Sequence, residues 1–456
     1  MFSTHQKKEL GLLLLKLFLV VINTCIFRWI WFRLYAENLY IPFVTKGHIA
    51  VVLVFMAVYS LLARMYGGFD LKTTRAFLVF YSNVVASVMT GFVMFIVIFL
   101  MNRKMISFYP ILLGMVLWSF AALLWSKPAV WVTNKIYPPS RTVIIYDNEF
   151  AFRKGLSICQ QVPRRFNVVG TISANENEVV IVNKLKQMRV EAVMLCGIHS
   201  SERNDLLKFC INANIPTFIR PNIGDFLLNS AKSMQIANLP ILLSQRSAQS
   251  PIYAIGKRLF DIVFALFFLV LLSPVYLITA IAIKAYDKGP VLYSQVRLTK
   301  DGRKFNIYKF RSMKVDAEKE SGARLAAEND SRITSVGKVI RAARIDELPQ
   351  MINILKGDMS VVGPRPERPE IAEEYERTMP EFNLRLQVKA GLTGYAQVHG
   401  KYNTSPYDKL QMDLMYIAKQ SFATDLMICM ETVKIIFLPD STEGIGEDET
   451  TAEDHK

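Results

Sequence analysis

Four long runs of apolar residues dominate the first part of the chain. They cover residues 10–30, 49–63, 76–101 and 108–125. The first, third and fourth runs are near or above the length that crosses a bilayer as an α-helix, whereas the second is shorter. Lys16 and Arg28 interrupt the first run, but both lie near enough to an end to reach the membrane surface. We therefore predict an α-helical bundle of four transmembrane helices in residues 1–130.

From Arg141 onward, short β-branched runs alternate with amphipathic ones. The pattern predicts strands at residues 142–146, 168–172, 179–182, 192–196 and 217–219, and helices at 151–161 and 202–213. Such alternation indicates a parallel sheet and thus a Rossmann-like α/β domain over residues 139–228. Its first turn, TVIIYDNEFAFRKG, lacks the GxGxxG glycines that let a backbone approach phosphate. We interpret this domain as degenerate and regulatory, structural or oligomerising rather than catalytic, and residues 229–250 as a linker.

A fifth apolar run, residues 262–283, is broken at its centre by Ser273 and Pro274. A fifth spanning helix with a proline kink is the common interpretation of such a run. Basic residues nevertheless flank both ends, as expected if both ends rest on the same anionic membrane face; they are Lys257, Arg258, Lys284 and Lys288. The serine hydroxyl could satisfy a carbonyl that the break frees. We therefore predict a re-entrant membrane hairpin over residues 262–283.

The distribution of charge favours a cytoplasmic location for the rest of the chain. Four spans return the chain to its starting side, where Lys7, Lys8, Arg64, Lys72, Arg75 and Lys135 would lie, against Arg33, Lys46, Arg103 and Lys104 outside. The formal net charge of +15 suits anionic lipids and phosphorylated substrates. Because no nucleic-acid motif is present, we expect membrane lipids as partners and no nucleic acid.

Composition also excludes some kinds of site. The five cysteines and five histidines show no metal-ligand spacing, which argues against a zinc site or a disulfide framework. The acidic end of the chain, residues 439–456, is typical of a disordered tail.

The stretch RIDELPQMIN places Asp346 and Glu347 side by side ahead of Pro349. Acidic residues are common in the first turn of a helix, and apolar residues at helical spacing follow, so the pattern predicts that the pair sits at a helix N-terminus. Basic residues interleaved with glycine and proline surround this pair. Four of them are candidate phosphate ligands: Lys309, Arg311, Arg341 and Arg365. Together the acids and cations suggest phosphoryl chemistry.

The motifs KRLFDI, the apolar hairpin with SP, KFRSM, DELPQ, LKGDMSVVGPRPE and GLTGYAQV occur in this order within residues 257–438. In this order they resemble the bacterial sugar transferase family, the large monotopic phosphoglycosyl transferases. The resemblance implies a mostly helical monotopic catalytic domain over residues 251–438, with Asp346 as covalent nucleophile, Asp346 and Glu347 holding Mg²⁺, and Arg365 binding phosphate. The family usually has arginine and proline before GLTG, whereas this chain has Lys389 and Ala390.

The same resemblance implies a reaction and a location. The enzyme would transfer a sugar 1-phosphate from a UDP-sugar donor, a UDP-hexose, to polyprenyl (undecaprenyl) phosphate. The products would be polyprenyl-diphosphate-sugar and UMP, in the first membrane step of exopolysaccharide, capsule or O-antigen synthesis. The expected location is the bacterial inner membrane with the catalytic domain on the cytoplasmic face, and a homodimer is a further expected partner.

Two alternatives remain open from the residues. A membrane-anchored nucleotide-sugar dehydratase would need a glycine-rich loop and a YxxxK pair, and Tyr253 and Lys257 have that spacing. A non-catalytic scaffold of a polysaccharide assembly complex would not need the intact DELPQ and GPRP motifs. A turnover assay separates these alternatives from the transferase.

Overall fold

The computed structural model describes residues 4–36, 39, 44–102, 105–246, 249–314, 332–400 and 404–436. The chain divides into two compact units, Met1–Pro221 and Asn222–Lys456. Arg103, Lys104 and the predicted acidic tail lie outside the described residues.

The first unit begins with four long helices, which confirm the four predicted apolar helices. They are α1 (Thr4–Ile30), α2 (Thr45–Met65), α3 (Ala76–Met101) and α4 (Tyr109–Ile136). All four are long and apolar enough to cross a membrane. Helix α4 continues beyond residue 125 because Ala129, Val130 and Thr133 extend its buried face. The protein is therefore membrane-associated.

Aromatic side chains fill the centre of this bundle. The rings of Phe27 and Phe55 stack with centroids 4.3 Å apart, and the ring of Trp118 lies 4.9 Å from that of Phe55. One turn further along α2, the Tyr59 hydroxyl donates to Asn83 Oδ1 on α3 at 3.0 Å. This hydrogen bond satisfies both polar groups where lipid offers no partner.

A four-stranded parallel sheet follows the bundle. Its strands are β1 (Ser140–Tyr146), β2 (Phe166–Ser173), β3 (Ala192–Cys196) and β4 (Thr217–Ile219), in the order β2-β1-β3-β4. Three helices pack beside it: α5 (Glu149–Gln161), α6 (Glu178–Gln187) and α7 (Ser200–Asn212). Strand β3 is buried along its whole length, as expected for a parallel strand covered on both faces.

The strand predicted at residues 179–182 is wrong, because this segment lies inside helix α6. Asn177 caps the helix by accepting a hydrogen bond from the Val179 N–H at 3.0 Å. Ile181 and Leu185, one helical turn apart, are buried against the sheet. Burial of this helical face outweighs the weak strand preference of the β-branched run.

The second unit begins with helix α8 (Ile223–Asn229) and a two-stranded hairpin within the predicted linker, β5 (Lys232–Ile236) and β6 (Leu239–Leu243). Two long helices and an antiparallel pair come next: α9 (Pro251–Leu271), α10 (Ser273–Asp287), β7 (Leu292–Leu298) and β8 (Lys304–Phe310). The remaining elements are α11 (Ser335–Ala342), α12 (Gln350–Lys356), β9 (Met359–Val362), α13 (Pro369–Thr378), β10 (Ala390–Thr393), α14 (Tyr395–His399), α15 (Pro406–Ala418) and α16 (Phe422–Ile436).

Helices α9 and α10 form a bent apolar pair. The chain turns by 62° between them, at the predicted serine-proline break. The Ser273 hydroxyl donates to the Val270 carbonyl at 2.8 Å, which confirms that the serine satisfies a carbonyl at the break. Pro274 lies in the first turn of α10, where its missing N–H leaves no helical bond unmade. Large apolar side chains on both arms are exposed, among them Phe267, Val270, Leu277 and Ile281.

The core of the second unit surrounds the short parallel pair β9 and β10. All four residues of β9 are buried. Three glycines let the backbone that follows β9 touch the backbone of β10 and the residue after it. A Cβ on Gly363, Gly391 or Gly394 would overlap neighbouring backbone atoms. The loop that begins at Gly363 leads directly to Arg365 and is therefore held against β10.

Candidate active site

The acidic pair lies in a 3-10 turn, Ile345–Glu347, between α11 and α12. The prediction that Asp346 and Glu347 sit at a helix N-terminus holds only for this 3-10 turn, because the α-helix itself begins at Gln350. Leu348 and Pro349 have helical backbone angles and join the turn to α12, but Pro349 has no N–H to donate to the Ile345 carbonyl. The two carboxylates therefore occupy a tight turn that leads into the helix.

Two cations converge on one carboxylate oxygen of this pair. Lys309 Nζ, from β8, lies 3.0 Å from Glu347 Oε1, and Arg365 Nη2 lies 2.9 Å from the same atom. The Glu347 side chain is 15% exposed, whereas that of Arg365 is 47% exposed. Arg365 therefore reaches the site from the solvent side and keeps donors free of Glu347.

The two carboxyl groups have opposite electrostatic settings. Burial alone would raise the pKa of Glu347, but the ammonium of Lys309 and the guanidinium of Arg365 hold that pKa well below its usual range. Burial raises the pKa of Asp346, and the neighbouring Glu347 charge raises it further, while Lys309, Arg341 and Arg365 oppose the rise. Glu347 is thus a fixed anion, and the charge of Asp346 depends on the cations around it.

The four candidate phosphate ligands separate into two groups. Lys309 and Arg365 contact Glu347, and Arg341, in the last turn of α11, is close enough to Asp346 to lower its pKa. Arg311 is committed elsewhere: its guanidinium pairs with Asp287, with Nη1 at 2.7 Å from Oδ2, and its Nε donates to the Pro290 carbonyl at 2.7 Å. Three of the four cations therefore surround the acidic turn.

A second layer of charges, which the sequence analysis missed, supports the Arg365 loop. Arg385 Nη2 donates to the Arg365 carbonyl at 2.9 Å and forms an ion pair with Asp413 at 2.8 Å. Both members of this pair are almost fully buried. Arg297 similarly pairs with Glu367 at 3.3 Å. The partners are distant in sequence, so no local pattern could have identified them.

The residues of the KRLFDI motif anchor α9 rather than form a dehydratase pair. Lys257 Nζ and the Tyr253 hydroxyl contact the same atom, Asp425 Oδ2, at 2.7 and 2.8 Å. The Tyr416 hydroxyl donates to Asp425 Oδ1 at 2.8 Å. Asp261, one turn beyond Lys257, accepts from the Val361 N–H at 2.9 Å. The YxxxK spacing is therefore explained by packing of α9 against the rest of the unit.

The unusual Lys389 and Ala390 lie at the start of β10. Ala390 is buried and pairs with Met359 in the parallel ladder. Burial lowers the pKa of Lys389, and the nearby Arg258 lowers it further, while Asp261 opposes the shift. Lys389 thus sits among charges of the α9 anchor.

The acidic turn fits a magnesium ion that is bound together with its substrate. Within the part of the chain that the structure describes, no group of three histidine, cysteine or acidic side chains could hold a metal alone. Mg²⁺ commonly takes only one or two protein carboxylates and completes its six ligands with substrate phosphates and water. Asp346 and Glu347 match that requirement, because Lys309 and Arg365 occupy only Oε1 of Glu347.

Known proteins resemble this chain. The family model described as bacterial sugar transferase matches residues 252–439. A UDP-N-acetylgalactosamine-undecaprenyl-phosphate N-acetylgalactosaminephosphotransferase of Aeromonas hydrophila is 40% identical over 242 residues, 52% of this chain and 56% of the relative. A UDP-glucose:undecaprenyl-phosphate glucose-1-phosphate transferase of Klebsiella pneumoniae is 38% identical over 218 residues, 47% of each chain.

These alignments span about half the length of the curated relatives. A shorter relative is covered further: a putative undecaprenyl-phosphate N-acetylgalactosaminyl 1-phosphate transferase of Bacillus subtilis is 48% identical over 144 residues, 32% of this chain and 78% of the relative. With the motifs and the acidic turn described above, this similarity establishes that the chain belongs to the bacterial sugar transferase family.

Proposed function

We propose that this protein transfers a sugar 1-phosphate from a UDP-hexose to undecaprenyl phosphate, giving undecaprenyl-diphosphate-sugar and UMP. The observation that carries the proposal is the convergence of Lys309 and Arg365 on Glu347, next to Asp346. The names of the relatives support the classes of donor and acceptor. The product would begin an exopolysaccharide, capsule or O-antigen.

The transfer brings two phosphate-bearing substrates together, and their negative charges repel each other. A carboxylate nucleophile separates the encounter into two displacements. An Asp346 oxygen forms a bond to the sugar-bearing phosphorus while the bond from that phosphorus to the bridging oxygen breaks, and UMP leaves with the electron pair. An oxygen of the lipid phosphate then attacks the same phosphorus and releases the Asp346 carboxylate.

The neighbouring cations have separate tasks in this scheme. Lys309 and Arg365 hold Glu347 ionised and in place, and the exposed part of Arg365 can bind a phosphoryl oxygen of the donor. Arg341 stabilises the ionised form of Asp346, which is the nucleophilic form. A Mg²⁺ held by Asp346 and Glu347 would neutralise charge on the diphosphate.

The membrane arrangement is part of the proposal. Helices α9 and α10 re-enter the cytoplasmic leaflet of the bacterial inner membrane, and the acidic turn faces the cytoplasm, where the UDP-sugar arrives. The 62° bend and the exposed apolar side chains of both arms support this arrangement. The α/β domain, of Rossmann-like type, has a regulatory or oligomerising role, for instance in a homodimer.

The topology can be tested with single cysteines at both ends of the hairpin. Ile252 and Lys288 are exposed positions near the two ends, whereas Lys257 is buried in an ion pair. In an otherwise cysteine-free variant both positions should react only from the cytoplasmic side. Labelling of the Lys288 position from outside intact cells would show that the pair crosses the membrane.

The reaction can be tested with purified protein in nanodiscs containing undecaprenyl phosphate and Mg²⁺. A panel of UDP-sugars labelled in the sugar should yield labelled lipid and an equal amount of UMP with at least one donor. Release of UMP without labelled lipid would point to hydrolysis instead. Absence of both products with every donor would favour a scaffold.

A further inference from the structure

One side chain of the membrane hairpin contacts the residue that directly follows the acidic turn. Tyr276, in the first turn of α10, donates its hydroxyl to the Leu348 carbonyl at 2.5 Å. Its ring packs edge-on against Phe310, with centroids 5.6 Å apart and planes at 60°. Phe310 directly follows Lys309, the cation that holds Glu347. Tyr276 therefore links the hairpin to both the acidic turn and the strand that carries Lys309.

The other arm of the hairpin holds the far end of the same segment. Arg258 on α9 donates from Nη1 to the Ile354 carbonyl at 2.6 Å and from Nη2 to the Leu355 carbonyl at 2.7 Å. These carbonyls belong to the last turn of α12, where a helix runs short of helical donors; the Ile354 carbonyl also accepts from the Gly357 N–H at 3.0 Å. Gly357, with φ 86°, ends the helix immediately afterwards. The arginine thus caps α12 with a bidentate contact.

The two contacts matter most for Asp346. The Glu347 side chain is fixed by two cations. Among the residues that the structure describes, the Asp346 carboxylate has no hydrogen bond of its own to fix it. Its position therefore depends on the backbone of the turn, and the Leu348 carbonyl that Tyr276 contacts is only two residues away.

We propose that Tyr276 is a positioning residue, whose hydrogen bond to Leu348 holds Asp346 where it can attack the donor phosphorus, while Arg258 fixes the opposite end of the segment. The proposal rests on the proposed function for its kinetic part. The hydroxyl of Tyr276 touches no reacting atom and acts through the backbone of the acidic turn. A shift of the hairpin in the membrane would then shift the position of the Asp346 carboxylate, and we call this coupling the mechanical link.

The kinetic test uses the full chain in nanodiscs. Tyr276→Phe removes the hydroxyl and keeps the ring against Phe310. Tyr286→Phe is the matched control, because Tyr286 lies on the same helix and is 51% exposed. A misplaced nucleophile should lower kcat roughly tenfold in Tyr276→Phe and leave the donor KM within about twofold, whereas the control should match wild type. An unchanged kcat, or a loss confined to KM, would overturn the positioning role.

A second measurement does not depend on activity. Hydrogen exchange of residues 345–351 should become up to about tenfold faster in Tyr276→Phe and stay unchanged in Tyr286→Phe. Arg258→Ala should likewise speed exchange in residues 352–358, and Arg258→Lys should restore part of the protection. This pair of variants tests the mechanical link even if Tyr276→Phe folds poorly. If the wild-type protein is inactive and exchange is still faster in Tyr276→Phe, the proposed reaction is refuted and the mechanical link stands. Equal exchange in Tyr276→Phe and the control, with an active wild type, would refute the link alone.

Discussion

Two clusters in the second unit are each centred on a carboxylate that pairs with a lysine, and they differ in how they are closed. At the base of α9, Asp425 accepts from Lys257, Tyr253 and Tyr416, and the Lys257 and Asp425 side chains are 10% and 5% exposed. In the acidic turn, Glu347 accepts from Lys309 and Arg365, and the Arg365 side chain is 47% exposed.

The difference lies in what each cluster leaves available. Asp425 has donors on both oxygens, so its cluster is complete and can only hold helices together. The acidic turn retains a second carboxylate, Asp346, and an arginine that reaches solvent, so a phosphorylated ligand can complete it. The incomplete ion pair is therefore the candidate functional site, and the saturated one is explained by packing.

The largest expected effect is on activity at the open cluster. Asp346→Asn keeps the shape of the side chain and removes the charge of the proposed nucleophile, so turnover should fall at least about ten-thousandfold. The midpoint of thermal unfolding should stay the same, as in the exposed control Asp205→Asn. With sugar-labelled donor and no lipid acceptor, wild-type protein should acquire a label at Asp346 that hydroxylamine removes. A labelled Asp346→Asn protein would show that another group attacks the donor.

The closed cluster should respond in stability instead. Asp425→Asn leaves the Lys257 ammonium buried without its counter-charge, which should cost about 3–5 kcal/mol of folding free energy. A lower midpoint of thermal unfolding in detergent, against an unchanged Asp205→Asn control, checks this. The double variant Lys257→Met, Asp425→Leu removes both charges and should recover most of the loss. If that variant is folded but inactive, the closed cluster has a direct part in the reaction and the comparison fails.

A smaller effect is expected at Glu347, which separates the two acids of the open cluster. Glu347→Gln keeps the proposed nucleophile but weakens the proposed magnesium site, so activity should fall roughly 10- to 100-fold, and more Mg²⁺ should be needed for half-maximal rate. Titration of initial rates with Mg²⁺ checks this, and the label at Asp346 should still form. A magnesium requirement equal to that of wild type would assign Glu347 to holding Lys309 and Arg365 only.

The smallest effect on the chemical step is expected from removing the first unit, because every candidate site residue lies in the second. A chain that starts at Asn222 should retain transfer activity within about fivefold of the full-length protein in nanodiscs. A chain that starts at Pro251 loses Ile223, which is buried in the core of the second unit, and should be less stable. A folded but inactive Asn222 chain would place part of the site in the first unit.

Local sequence patterns predicted those parts of the molecule that local forces determine. The four apolar helices, the strands of the sheet other than residues 179–182, and the serine-proline break all follow from periodicity and backbone chemistry. Residues 179–182 failed because β-branched residues form a helix when tertiary packing buries one helical face. The sequence identified the acidic pair but not its 3-10 turn. Pro349 is compatible with the first turn of a helix, so the apolar spacing did not reveal that the α-helix begins only at Gln350.

The roles of the charged residues were less accessible, because each depends on a partner far along the chain. Lys309 and Arg365 meet at Glu347 from separate elements, whereas Arg311, two residues from Lys309, pairs with Asp287. From sequence these cations look alike. Only the fold distinguishes the ones that reach the acidic turn from the one that stabilises the end of α10.

The glycine contact behind Arg365 has a consequence, under the proposed function, for how the sugar donor could change. Since Gly363, Gly391 and Gly394 admit no Cβ, the path of the backbone that delivers Arg365 tolerates no side-chain variation at these three positions. Selection for another sugar would then have to act on the surrounding side chains and leave the position of Arg365, the proposed phosphate ligand, unchanged. A randomised library of this enzyme should therefore return altered sugar preference only in clones that keep all three glycines.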